Sequence, residues 1–203
     1  MEVFDLYCIN LDSRQDRLVN IKQHILDIGF KCNFIRLPAI EMKNGRAGAA
    51  HSHLKAIKLA KQKNLDKILV IEDDAKFTEN SYQIYLDCLN QLPNDWDILS
   101  GGLSWVGYNP IKVSQNLVKI GDFSAAHFML YRNTCYDKIL QWDSNKHIDR
   151  WIGKQSQNNN INVYCSFPYI AKQFNGYSNI RNTKTNDDIL FKKSEDKIHS
   201  LFI

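Results

Sequence analysis

Apolar positions in the first half of the chain follow two alternating rhythms. From Val3 to Asn10 they form an almost unbroken run that ends at the polar Asn10-Leu11-Asp12, as expected of a strand covered on both faces. Leu18, Ile21, Ile25 and Ile28 then recur at helical spacing, with Gly29 where a C-terminal cap belongs. Ser13 and Asp16 flank the start of that helix at capping-box spacing, with Asp in place of the usual, longer Glu. A short second strand, Cys32 to Leu37, is stopped by Pro38. The pattern predicts a helix over Ala49 to Lys63, with Ala50, Leu54, Ile57 and Ala60 on one face and lysines on the other. Lys67 to Ile71 is a continuous β-branched run, typical of a parallel strand with helices on both sides. A further helix is expected from Ser81 to Leu92, with Tyr82, Tyr85, Leu86 and Leu89 as its apolar face, and a strand from Trp96 to Leu99.

This alternation predicts an α/β fold: one domain with an open, mostly parallel central sheet flanked by helices and joined by right-handed crossovers. The second half is less regular. Strands are expected at Leu117 to Ile120, Phe128 to Tyr131 and Val163 to Phe167, and helices at Asn133 to Trp142 and His147 to Gln157. The expected division is a domain over residues 1–181 and a charged tail over 182–203, either frayed or docked as an amphipathic helix.

Composition changes this picture little. The 203 residues are 44% hydrophobic and 24% charged, ordinary globular material with enough apolar surface to close a core. A formal charge of +4 suits phosphate-bearing ligands but lacks the clustered basicity of a nucleic-acid binder, so no nucleic-acid partner is expected. Five widely spaced cysteines form no CxxC pair, which excludes a zinc or dithiol motif and favours reduced core residues. Nothing approaches the ~18 apolar residues of a membrane span. With no signal-peptide pattern at Met1 to Asp5, the expectation is a cytoplasmic protein.

Three places could carry chemistry. Glu72-Asp73-Asp74 follow the buried strand directly, and ligands of open α/β sheets bind outside the carboxyl ends of strands. Three adjacent carboxylates repel one another unless solvated, hydrogen-bonded or bound to a cation, and hard oxygen ligands suit Mg²⁺ or Mn²⁺. The plain alternative is a solvated turn that caps the next helix. Arg14 and Arg17 open the first helix, where amide groups and guanidinium forks attract phosphate; pairing with Asp12 and Asp16 explains them equally well. Gly48-Ala49-Ala50-His51-Ser52-His53 leads into the helix that feeds the acidic strand. Histidines two apart cannot share a helical face, so a zinc pair is not expected, and His53 fits a satisfied core histidine as well as a ligand contact.

The ordered set is more specific than its parts. Ile9-Asn10-Leu11 with Arg14 and Asp16-Arg17, Arg36-Leu37-Pro38-Ala39, Gly48 with Ser52-His53, and Ile71-Glu72-Asp73-Asp74 together resemble glycosyltransferase family 25. Phe128 to Tyr131, His147-Ile148-Asp149, and Gln173 with Ser178-Asn179-Ile180 extend the resemblance to roughly Val3 to Ile180. His51 and Asn179 depart from the family pattern, which more usually has a small residue or cysteine at the first and aspartate at the second. The resemblance implies a GT-A-type fold, a Mn²⁺ or Mg²⁺ cofactor, a UDP-sugar donor (UDP-galactose or UDP-glucose) and inverting transfer of a hexose to a hydroxyl on a glycan or hydroxylated protein. It places Asn10, Arg14, Arg17, Ala39, Ser52, His53, Glu72 and Asp73 near the nucleotide-sugar. Asp74 and Glu72 become the metal carboxylates, with Gln173 a candidate third ligand beside Asn175 and His127, and Asp149 the general base.

Two other functions fit the carboxylates. A nucleotidyltransferase or phosphohydrolase would usually add a glycine-rich phosphate loop, and neither GxxxxGK[ST] nor a strand-linked GxGxxG occurs. A catalytically degenerate member would bind glycan without transfer. Trp105-Val106-Gly107-Tyr108 is the expected mobile acceptor-side loop. Self-association into a homodimer is left open.

Overall fold

A computed structural model describes residues 4–107, 109–143, 146–178 and 183–203. Its elements run β1 (Phe4–Asn10), α1 (Gln15–Asp27), β2 (Cys32–Pro38), α2 (Gly45–Gln62), β3 (Lys67–Glu72), β4 (Ala75–Phe77), α3 (Ser81–Gln91), β5 (Ile98–Ser100), β6 (Trp105–Val106), β7 (Ile111–Lys112), β8 (Leu117–Ile120), β9 (Phe123–Ser124), β10 (Phe128–Arg132), α4 (Tyr136–Ile139), α5 (Ile148–Gln157), β11 (Val163–Ser166), β12 (Ala171–Gln173), β13 (Gly176–Ser178), β14 (Thr183–Thr185) and α6 (Asp188–His199). The fold is α/β. An open eight-stranded sheet in the order β2-β1-β3-β10-β5-β11-β8-β7 is flanked by helices.

Pairing is parallel across β2-β1-β3 and between β5 and β11, while β10 runs antiparallel between β3 and β5. The carboxyl ends of β1, β2 and β3 therefore share one edge, and the loops leaving them form the site. Both faces of the sheet are buried, which is why its strands read as unbroken apolar runs. Ile68, Val70, Met129 and Tyr131 pack to one side with Leu54 and Ile57 of α2, Trp151 of α5 and Phe191 of α6. Leu69, Ile71, Phe128 and Leu130 face the other side, with Ile21 and Ile25 of α1 and Tyr85 of α3.

Several local expectations are corrected. No capping box forms at α1. Its N-cap is Arg14, and the Asp16 carboxylate accepts two hydrogen bonds from the Arg14 guanidinium (2.9 and 2.8 Å) and one from the Arg17 amide, so it does not reach back to close a box. The two-pronged pairing with a full positive charge holds the carboxylate away from the box position. Gly29 does take the left-handed conformation (φ 69°) that ends the helix. Helix α2 begins at Gly45, four residues before the expected Ala49, because the Asn44 side chain caps it by accepting from the Arg46 amide (3.1 Å).

The strand expected from Trp96 begins at Ile98, and the helix expected over Asn133 to Trp142 is a 3-10 turn followed by the short α4. Trp105-Val106 is a paired strand against Phe123-Ser124, so the expected mobile loop is a hairpin at its start; Tyr108 lies outside the described residues. In the tail, α6 is docked: Phe191 and Ile198 are fully buried, and the Ser194 hydroxyl donates to the Leu103 carbonyl. All five cysteines are free, and Cys32 alone is partly exposed. Among the described residues no helix is long and apolar enough to cross a membrane.

Candidate functional site

The last residue of β3 and the two that follow form a wall between two clefts. The first cleft, about 300 Å³, is lined by Arg14, Arg17, Ala39, Ile40, Ser52, Asp73 and Asp74 among others. The second, about 350 Å³, includes Asp74 and Glu72 on one side and His147, Asp149, Arg150 and Gln173 on the other. Glu72, Asp74, Arg17 and Ala49 line both.

Each carboxylate of the wall has a different environment. Glu72 accepts from His53 Nε2 at 3.3 Å, and the Tyr131 hydroxyl lies 3.0 Å from His53 Nδ1. An ionised carboxylate only accepts, so Nε2 carries the proton and, in the neutral ring, Nδ1 accepts from Tyr131. Burial raises the Glu72 pKa. The His53 hydrogen bond and the charges of His53, His127 and Arg17 outweigh it, and the carboxyl ends below its usual range. Burial also raises Asp73, and prevails there although Arg17 and Asn10 donate to its two oxygens (2.9 and 2.8 Å).

Asp74 is the least compensated of the three. Burial, and then the negative charge of Glu72, push its pKa up to about 7, against the opposing charge of Arg17 and a long 3.4 Å hydrogen bond from Gln173. The Arg17 guanidinium lies 3.6 Å from it but is already committed to Asp73. A carboxylate whose ionisation the fold opposes, open to both clefts, fits a cation position. Among the described residues no three His, Cys, Asp or Glu side chains converge as a complete ligand set. Mg²⁺ and Mn²⁺ tolerate that, since waters and substrate phosphates usually fill most of their shell.

The predicted residues fall into two groups. Arg14, Arg17, Ala39, Ser52, Asp73, Asp74 and Glu72 line the first cleft, and Gln173 and Asp149 the second. Asn10 and His53 line neither. Asn10 is 1% exposed, and its amide donates to the Arg14 carbonyl (2.9 Å) and Asp73 (2.8 Å) while its oxygen accepts from Arg36 (2.9 Å). It ties the ends of β1, β2 and β3 together behind the cleft wall. His53, 0% exposed, orients Glu72. Ser52 also works through the backbone, accepting from the Ile40 amide (2.8 Å) and donating to the Gly48 carbonyl (2.7 Å). A Cβ on Gly48 would stand 2.6 Å from the Ile40 carbonyl oxygen, so only glycine lets the lip at residues 40–42 lie against α2.

Asp149 sits in the first turn of α5, where helix amides favour a carboxylate. It accepts from the Ala125 amide (2.7 Å) and the Arg150 amide (2.7 Å). Ala125 has φ 100°, a conformation costly for any side chain (about 1–3 kcal/mol), and the Asp149 bond helps to hold it there. Beside it, Arg150 pairs with Asp122 (2.8 Å) and lies 4.3 Å over the Trp105 ring. Asn179 and Ile180, from the closing motif, lie outside the described residues, and His51 packs against Trp142 instead of entering either cleft.

Sequence reasoning assigned no role to Arg36, Tyr131 or Asp122, because each acts on residues distant in the chain, nor to Arg46, which only the fold brings into the second cleft. The signal available for Tyr131 was a hydroxyl in an otherwise apolar strand. Its removal is a direct test: Tyr131→Phe leaves His53 Nδ1 buried without a donor and is expected to cost about 1–3 kcal/mol in urea unfolding. An unchanged midpoint would exclude the Tyr131–His53–Glu72 chain.

The family model described as Glycosyltransferase family 25 (LPS biosynthesis protein) matches residues 38–191. No curated protein matches the chain. Among solved structures, A197 from STIV has a TM-score of 0.52 at 10% identity, over 90% of this chain and 93% of that one, a likeness of fold alone. A glycosyltransferase involved in glycosylation of the major capsid of PBCV-1 gives 0.45 at 8% identity, over 68% and 63%. A mutant of Drosophila β1,4-galactosyltransferase 7 in complex with manganese, UDP-Gal and xylobiose gives 0.46 at 11%, over 91% and 70%.

Proposed function

The chain belongs to glycosyltransferase family 25, and from that premise we propose that it moves a hexose, galactose or glucose, from a UDP-sugar to a hydroxyl of a glycan or protein acceptor, with inversion and with Mn²⁺ or Mg²⁺. The observation that carries this reading is Asp74, which lines both clefts and whose charge the fold resists until a cation arrives.

On this reading the first cleft takes the nucleotide. Arg14 and Arg17 lie at the start of α1, and their guanidinium groups, now paired with Asp16 and Asp73, would turn to the phosphates. Asp74, with Glu72 beside it and Gln173 hydrogen-bonded to it, would hold the ion, and Glu72 is the weaker ligand because His53 already occupies it. A divalent ion supplies positive charge to the departing diphosphate. Asn10 and Arg36 keep the wall in register, and Asp73 steers Arg17.

The acceptor hydroxyl would enter through the second cleft. Inversion requires attack from the face opposite the leaving group, so the base must stand across from the diphosphate. Asp149 is the candidate for that position, since it lines the second cleft but not the first. Two backbone amides fix its carboxylate. About half of a carboxylate's lone-pair positions then remain for the acceptor proton.

Calorimetry is the test. UDP is expected to bind in the presence of Mn²⁺ and to bind far more weakly in EDTA, and a screen of UDP-sugars for UDP release should single out one hexose. No UDP binding with Mn²⁺ would end the proposal. Pyrophosphate release from nucleoside triphosphates would point to nucleotidyl transfer.

A further inference from the structure

The second cleft contains an arginine to which donor binding gives no task. Arg46 stands in the first turn of α2, its amide capped by Asn44 (3.1 Å). Its guanidinium makes no hydrogen bond or ion pair with any described residue, although the other arginines of the cleft are committed. Arg17 is held by Asp73 at 2.9 Å, and Arg150 is held by Asp122 at 2.8 Å with its plane over Trp105. Arg46 lines the cleft that contains Asp149, and does not line the one that contains Arg14, Ala39 and Ser52.

An exposed guanidinium lining the same cleft as a candidate base is suited to a planar anion, since its fork matches carboxylate and phosphate oxygens. It also discriminates: a neutral acceptor leaves it to water, whereas an anionic one gains a charge-assisted pair. We propose that the acceptor is an anionic saccharide, carrying a carboxylate or phosphate substituent that Arg46 binds while Asp149 receives the proton of a neighbouring hydroxyl. The proposal rests on the assignment of the second cleft to the acceptor. It goes further by giving that acceptor a charge.

The test is an NMR titration of the UDP-loaded protein with three probes: methyl β-glucoside, methyl β-glucuronide and glucose 6-phosphate. At least one anionic probe is expected to bind roughly tenfold more tightly than the neutral one, in line with a single charge-assisted hydrogen bond. The glucuronide and phosphate arms identify which anion is recognised. Arg46→Gln is expected to bring all three probes to the neutral value, and Arg46→Lys to restore part of the difference.

Equal binding of the three probes by the wild type overturns the inference. So does a preference that survives in Arg46→Gln, or a fall in UDP affinity in that variant, which would give Arg46 to the donor diphosphate. Failure of UDP to bind the wild type is a separate result, which sinks the transferase reading; the saccharide arms, run without nucleotide, still decide the role of Arg46.

Discussion

Asp74→Asn is expected to abolish transfer and, in the metal-free protein, to raise stability. The two effects share one cause. Of the wall's three acids, Glu72 is compensated by His53, Asp73 less so by Arg17 and Asn10, and Asp74 least, with its pKa raised by burial and by Glu72 to about 7. An unfolded aspartate titrates near about 3.9. Between those values the folded protein keeps a proton that the unfolded chain has lost, so stability falls as pH rises through that window and stays low above about 7. Asparagine cannot ionise and escapes the penalty.

The gain should be absent at pH 4 and reach about 1–3 kcal/mol at pH 8, below the full span of the shift because 24% of the side chain meets solvent. Thermal unfolding in EDTA at the two pH values measures it. Mn²⁺ with UDP should reverse the order, stabilising the wild type more than the variant. Loss of a charge that anchors the ion should lower transfer by about two orders of magnitude or more. If Asp74→Asn bound UDP and Mn²⁺ like the wild type, Asp74 would not be a metal ligand.

Such a penalty would be a defect in a purely structural turn; here it is consistent with a site held ready for a ligand. The part of this that could be read from sequence is local. Lys67 to Ile71 announces a doubly covered strand, and acids directly after it fall at a sheet edge wherever the neighbouring strands lie. The direction of those neighbours is a different matter. Apolar periodicity carries no polarity, so the antiparallel entry of β10 beside β3 had no signal in the chain.

Function-bearing contacts across elements were equally silent. The family resemblance put Asn10 near the nucleotide, and nothing local in the sequence shows that its carboxamide bonds to Arg14, Arg36 and Asp73. His53 pairs with a tyrosine 78 positions away. The capping-box reading at Ser13 and Asp16 failed for a third reason: spacing alone cannot show that a nearby guanidinium will take the carboxylate first. The pairing of Asp16 with Arg14, which lowers the Asp16 pKa to about 2, is a contact of side-chain geometry.

Asp149→Asn is expected to lower transfer by about 10²–10⁴-fold, the usual worth of a general base, while UDP affinity stays within about twofold. The separation follows from the proposed division of the clefts: Asp149 lines the second and not the first, whereas Arg14, Ala39, Ser52 and Asp73 line the first and not the second. The variant keeps one oxygen acceptor, but its amide group must oppose the N–H of either Ala125 or Arg150, both of which the carboxylate accepts at 2.7 Å. That mismatch should cost about 1–3 kcal/mol and loosen Ala125 from its φ of 100°. A lower Tm alone would therefore fit a structural role, so the kinetic split has to decide. A base acts on kcat, and its loss should persist at temperatures where the variant is fully folded and saturated with UDP. Asp149→Glu restores the charge on a longer arm and should recover part of the rate, which a role confined to bracing Ala125 would not require. Transfer within tenfold of wild type in folded Asp149→Asn would remove Asp149 as the base and leave it a brace for the cleft floor.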